Sequence, residues 1–161
     1  MMRKLSVRRL AIRFGFLVML LMAGLFVIRS SSDAPNFPAE GGAKSFAACP
    51  ESPNCVSTQA ASLDHQMKPV PWAGASKEAV DLIRRAVDDQ FSRCRIVAEK
   101  HDYLRYEFTS FVFRFVDDVE FLIDQDTKLI HFRSASRVGH SDLGANRRRM
   151  ARFREAFERL R

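Results

Sequence analysis

The chain has few of the residues that would mark it as something other than a globular protein. Seven glycines and six prolines among 161 residues exclude collagen-like and low-complexity chains, and 14 phenylalanines exclude a wholly disordered one. Three cysteines are too few for a miniprotein built on disulfides. His65, His101, His131 and His140 show no H-x-x-x-H or H-E-x-x-H spacing, so neither a metal centre nor any other cofactor is expected. A G-x-S-x-G elbow is missing, and so is the C-x-x-C pair of a redox helix.

Acidic residues are absent before Asp33, and that absence reinterprets the charge. The formal net charge is +7, which invites a nucleic-acid reading. Six of the 26 basic residues lie in the first 29 positions, and all 19 acidic ones lie after them. The rest of the chain therefore carries 20 basic and 19 acidic groups, a net of +1. A basic footprint for a phosphate backbone is missing, and no nucleic-acid partner is expected.

What the N-terminus has instead is Phe14–Ile28, 15 residues that are all apolar or glycine, preceded by five cationic residues. Basic, then apolar, then polar is the order of an export signal. Counted from Leu10, with Arg13 reaching back to the headgroups, the segment has 19 residues, enough to cross about 30 Å of hydrocarbon. The cationic flank stays in the cytoplasm, which sends the remainder across the membrane. Residues 1–29 are read as a signal anchor or signal peptide. An uncleaved anchor is favoured, because Ser30-Ser31-Ser32 is a poor small-x-small site. Phe46-Ala47-Ala48-Cys49 resembles a lipoprotein box but lies far beyond the apolar run. The expected address is the bacterial inner membrane, single pass through residues 14–28, with the C-terminal domain in the periplasm.

Residues 30–48 are rich in Ser, Pro, Ala and Gly without helical or strand period, and read as a flexible linker. The stretch Cys49-Pro-Glu-Ser-Pro-Asn-Cys55 follows. Its prolines and Asn54 force turns that bring the two sulfurs together, and an oxidising compartment favours a Cys49–Cys55 disulfide, contributing about 2 kcal/mol. Cys94 stands in an apolar strand candidate and reads as a buried free thiol.

Residues 49–161 are expected to form one domain. Ser76 is read as the cap of a helix to about Phe91, with Ala79, Val80, Ile83, Val87 and Phe91 as its apolar face. Four strands are expected: Cys94–Lys100, Tyr103–Ser110, Phe111–Val116 running on toward Ile123, and Lys128–Ser134. A last helix, Asp142–Leu160, has Met150, Phe153, Phe157 and Leu160 as its stripe. The short connections give a two-layer α+β fold, α-β-β-β-β-α, with an antiparallel sheet and both helices on one face. On the last helix Arg148, Arg152 and Arg159 fall opposite the stripe and meet Glu155, an ordinary solvated face. Arg147, Arg154 and Arg161 flank the stripe, within reach of sheet carboxylates.

The densest polar stretch is Arg133–Arg147, between the last strand and the last helix. Its arginines, small residues and helix start suit an anion. Arg133, Ser134, Ser136, Arg137, Asp142 and Arg147, with Asp117 and Asp118 from the neighbouring strand, are the candidate ligand-binding residues. Internal pairing of these arginines with Glu107, Asp117, Asp118 or Glu120 is the weightier reading on residue chemistry, and both hold if a ligand completes the network. A hydrolase would use His140 with Ser136 or Asp142, or with Ser134 or Ser141, but one short loop aims nucleophile, base and orienter poorly. Asp117 and Asp118 point to opposite faces of a strand, which argues against a shared cation.

The segments PNCVS (Pro53–Ser57), FRFVDDVEF (Phe113–Phe121) and RSASRVGHSDLGANRRR (Arg133–Arg149) resemble those of domain-of-unknown-function family 1499, over about Cys49 to the C-terminus. The resemblance implies a bacterial-envelope or plastid protein with no established activity, and places the FVDD and RSASR segments in one site on adjacent strands. That family usually has an aromatic residue where His140 stands, which counts against His140 as a base. The function expected is a membrane-anchored extracytoplasmic binding or interaction module. Its partner would be an acidic small molecule, a lipid headgroup or an envelope protein. A small periplasmic hydrolase and a purely structural envelope protein are the alternatives.

Overall fold

A computed structural model describes residues 10, 12–16, 18–19, 37 and 44–161. The chain divides into two compact units, residues 1–33 and 34–161. In the first, residues 12–16 and 18–19 are helical. Among the described residues no helix is long and apolar enough to cross a membrane. Of the expected span at residues 14–28, only 14–16 and 18–19 are described, and the remainder lies outside the described residues.

The second unit is an α+β domain. In chain order its elements are β1 (Cys55–Ser57), β2 (Val70–Pro71), α1 (Ser76–Gln90), β3 (Cys94–Lys100), β4 (Tyr103–Thr109), β5 (Val116–Asp124), β6 (Leu129–Ser136) and α2 (Ala145–Leu160). The six strands form one antiparallel sheet in the order β1-β6-β5-β4-β3, with β2 also pairing β6. Four strands were expected. The extra two, of three and two residues, pair the far edge of β6 and are too short to show any alternation in sequence.

The third strand is the main correction. Thr109 pairs with Val116, so residues 110–115 form the β4–β5 hairpin loop and not a strand. Ser110 N donates to Phe115 O at 2.9 Å, Phe115 N donates to Ser110 Oγ at 2.8 Å, and Arg114 takes a positive φ of 57°. The Phe/Val alternation that reads as a strand is an apolar loop. Ser76 is also not a cap. It is the first helical residue, buried, with its Oγ accepting from Gln125 Nε2 at 3.1 Å, and Ala75 stands at the N-cap without a side-chain bond.

Both helices lie on one face of the sheet. Leu104, Tyr106 and Phe108 of β4, Val119, Phe121 and Ile123 of β5, and Ile130 and Phe132 of β6 meet Ile83 and Val87 of α1 and Met150, Phe153 and Phe157 of α2. Phe153 lies at the centre, its ring 4.6 Å from that of Phe121 and 5.8 Å from that of Phe157. Each such buried side chain contributes about 1.5–3 kcal/mol. Arg147, Arg154 and Arg161 do not reach the sheet carboxylates. They recur every seventh residue along α2 and donate to backbone carbonyls of the 64–71 segment: Asp64 and Gln66, Lys68, and Pro71. The guanidinium row thereby fastens an irregular segment that has few ladder bonds of its own.

The other face is polar yet covered. Phe46 packs with Tyr103 and Leu122, and Phe37 lies with its ring centroid 3.9 Å from the Arg105 guanidinium. The disulfide Cys49–Cys55 forms and holds the stretch before β1. Cys94 is a free, half-buried thiol.

Candidate functional site

The antiparallel register of β5 and β6 sets Asp117 opposite Ser136, Asp118 opposite Ala135, Val119 opposite Ser134 and Glu120 opposite Arg133. The FVDD and RSASR segments are therefore neighbours. Strand alternation then sends their side chains to two different faces.

On the covered polar face, Arg137 Nε donates to Asp118 Oδ2 at 2.7 Å and its Nη2 to Asp118 Oδ1 at 2.8 Å and Glu107 Oε1 at 2.5 Å. Arg95 donates to the other Glu107 oxygen through Nε at 2.9 Å and Nη2 at 2.5 Å. Arg133 Nη1 donates to Glu120 Oε2 at 3.2 Å, and Tyr103 donates its hydroxyl to Glu120 Oε1 at 3.0 Å. Glu120 is 0% exposed and Asp118 2%. Internal pairing has thus claimed both Arg133 and Arg137.

Burial raises the Glu120 carboxyl above its ordinary range, and the Arg133 charge and the Tyr103 hydroxyl only partly offset it. Burial also pulls Glu107 upward, but hydrogen bonds from Arg137 and Arg95 outweigh it and hold that carboxyl below the usual value. Folding therefore favours ionised Glu107. Its contribution to stability is present above the unfolded carboxylate range and is lost as pH falls through the lower folded value. Glu107→Gln is expected to flatten that part of the acid-unfolding profile, as measured by urea midpoints across the pH range from neutral to strongly acidic. An unchanged slope would remove Glu107 from the account.

On the helix face, Arg149 of α2 pairs with Asp117, Nη2 to Oδ2 at 2.5 Å, and its guanidinium lies 4.7 Å from the Phe108 ring centroid. Asn146 is fully buried. Its Nδ2 donates to Asn54 O at 2.9 Å and Ser136 Oγ at 3.0 Å, and its Oδ1 accepts from Ser134 Oγ at 2.5 Å and from Arg149. Asp142 closes the start of α2, Oδ1 accepting from Gly144 N at 2.9 Å and Oδ2 from Asn146 N at 2.7 Å. The helix accordingly begins at Ala145 and not at Asp142. Gly144 has a φ of 78°, where a Cβ would lie 3.1 Å from Arg148 Nη1, so glycine suits the turn twice over.

The candidate residues are therefore distributed. Asp118, Arg133 and Arg137 lie on the covered face, while Asp117, Ser134 and Ser136 lie on the helix face around Asn146. Asp142 serves the α2 start, and Arg147 holds the carbonyls of Asp64 and Gln66. His140 is exposed, and no hydrogen bond joins it to Ser136 or Asp142 among the described residues. No cluster of His, Cys, Asp and Glu suited to a metal ion occurs among the described residues.

A concave site lined by arginines lies elsewhere. A cavity of about 400 Å³ is bounded by the end of α1 and the α1–β3 connection, the end of β4 with the hairpin loop after it, and the first two turns of α2. Arg93, Arg148, Arg149 and Arg152 line it beside Phe91 and Ser110, and no acidic residue does. Arg149 is paired with Asp117. The other three have no carboxylate partner among the described residues. Arg148 Nη1 donates to Leu143 O at 2.7 Å, Arg152 Nη2 to Gln90 O at 3.2 Å, and the Arg93 guanidinium sits 4.2 Å from the Phe111 ring centroid. Pairing of Arg148 and Arg152 with Glu155, expected from helical spacing, does not occur. Those side chains turn toward the cavity instead. The pocket draws on four segments distant in sequence, so no local motif announces it.

A covered antiparallel sheet backed by two helices, fastened by a cysteine clip and two buried ionic networks, defines an α+β domain of family type. Residues 45–157, well over half of the chain, match the family described as Protein of unknown function (DUF1499), and the chain belongs to it. No curated protein and no solved structure matches the chain.

Proposed function

We propose that the protein is a membrane-anchored extracytoplasmic binding module of the bacterial cell envelope whose arginine-lined pocket takes an anionic group, phosphate or carboxylate. One observation carries this reading: three arginines that have no carboxylate partner among the described residues converge on a cavity that no described acidic residue lines. Like charges that share a concave, low-dielectric site repel one another, and an anion turns that convergence into a favourable arrangement. Phe91 and Phe108 give the cavity an apolar floor, and Ser110 adds a polar group at its edge. The apolar run at residues 14–28 supports the anchor, its cationic flank supports the orientation, and the Cys49–Cys55 disulfide agrees with an oxidising compartment.

Thermal unfolding of the full chain in an uncharged detergent tests the pocket. Inorganic phosphate is expected to raise the melting temperature by about 5 °C over chloride at equal ionic strength once it is well above its dissociation constant. The double variant Arg148→Gln/Arg152→Gln should lose that rise while keeping the phosphate-free melting temperature, because both side chains are exposed. An equal rise in the variant, or none in the parent chain, would overturn the pocket.

A further inference from the structure

Three consecutive large apolar side chains form the tip of the β4–β5 hairpin: Phe111 and Val112 are each 71% exposed and Phe113 is 56% exposed. A single exposed apolar residue is ordinary, but a run of three at a protruding loop is a candidate contact surface. The tip is held in place. The two Ser110–Phe115 hydrogen bonds close it, Phe113 stacks on Phe115 at 5.5 Å, and Arg93 caps the Phe111 ring. Leu143, 84% exposed, sits in the loop before α2, and its carbonyl holds Arg148. The β4–β5 register and the pocket lining place this loop and the hairpin at the same end of the domain.

Arg93, Arg148 and Arg152 line the pocket that this hairpin borders, and Arg114 stands in the hairpin loop itself. The sheet carboxylates of this end are already committed: Glu107 to Arg95 and Arg137, Asp117 to Arg149, and Asp118 to Arg137. From residue 30 onward the chain nets only +1, so these arginines are not part of a general basic excess. Exposed apolar side chains beside a group of guanidinium groups suit a bilayer surface, which offers acyl chains to the first and phosphates to the second.

We propose that the Phe111–Val112–Phe113 hairpin docks the domain on an anionic phospholipid bilayer, with lipid phosphates occupying the arginine pocket. This rests on the anion-binding reading of that pocket and names its partner. Each arginine near an anionic surface contributes about 1 kcal/mol, and an N-terminal anchor in the same membrane makes even weak docking effective by raising the local concentration.

The test uses the full chain with Cys94→Ser and Val112→Cys, labelled at position 112 with an environment-sensitive nitrobenzoxadiazole dye without reductant, so that Cys49–Cys55 stays closed. The protein is reconstituted into vesicles of phosphatidylcholine alone or mixed with phosphatidylglycerol. The expected result is a blue shift and a several-fold gain in brightness in the phosphatidylglycerol vesicles only. Arg93→Gln/Arg148→Gln/Arg152→Gln should abolish the gain. Phe111→Ser/Phe113→Ser should abolish it while lowering the melting temperature by no more than a few degrees, since both rings are exposed and lose only the Phe115 and Arg93 contacts.

A water-like emission in both vesicles, or an equal shift in both, overturns docking on anionic lipid. The same change produced by inorganic phosphate in detergent, with no membrane, also overturns it and assigns the pocket to a free anion. If the tip stays in water while phosphate still raises the melting temperature through Arg148 and Arg152, docking fails and the pocket reading stands. If phosphate fails as well, both fall together.

Discussion

Arg137→Ala is expected to lower the melting temperature by about 10–20 °C. The Arg137 side chain is 8% exposed and bridges two carboxylates, Asp118 and Glu107. Alanine would leave Asp118, 2% exposed, as a buried charge without the guanidinium that pairs with it. Breaking such a pair from one side costs about 3–5 kcal/mol, and a domain of this size loses about 4 °C for each. Thermal unfolding followed by circular dichroism measures the loss. Arg137→Ala/Asp118→Ala should recover part of it, because the second change removes the stranded charge, and the double-mutant cycle then isolates the pair. Arg137→Lys should recover less than half, since an ammonium cannot fork onto two carboxylates. A loss of only a few degrees would mean that this network does not hold β4, β5 and β6 together, and would return Arg137 to the list of ligand-binding residues.

The sequence shows the period of both helices and of β3, β4 and β6, because each has an apolar face long enough to repeat. It misleads at Phe111–Phe115. Alternation of Phe with Val and Arg satisfies a strand pattern whether or not a partner strand lies beside it, and only the pairing of Thr109 with Val116 turns those residues into a loop. The opposite facing of Asp117 and Asp118 follows from strand geometry alone and is what the structure shows. The partners of these two were half legible. Arg137 lies in the stretch that the sequence singles out, while Arg149 hides among neighbouring arginines whose roles depend on rotation about α2. The open pocket was not legible. It needs the end of one helix, the end of a strand, a hairpin and the start of a second helix at one end of the domain, and that adjacency is a property of the assembled sheet.

Asn146 did carry a signal in the sequence. At about 100° per residue it projects about 40° from Met150 and about 20° from Phe153, in the middle of the apolar stripe. A polar side chain at such a position is buried and must be satisfied. Here it joins three elements, bonding Asn54 before β1, Ser134 and Ser136 of β6, and Arg149 one turn along α2. Asn146→Ala is expected to cost about 3 kcal/mol, from the hydroxyl and guanidinium groups left short of a partner and from the small cavity. That amounts to a fall of about 10 °C in the melting temperature. Loss of the bond to Asn54 O removes a tie on the clip that leads into β1, so amide exchange should accelerate most at Cys55–Ser57, beyond what the global loss explains. Asn146→Asp separates the two halves of the site. It keeps the acceptor facing Ser134 and Arg149 but loses both donors. If Asn146→Asp matches the parent chain in stability and in β1 exchange, the bonds to Asn54 and Ser136 hold nothing. If it exchanges as fast at β1 as Asn146→Ala does, those two donors are what fasten the cysteine clip to the helix.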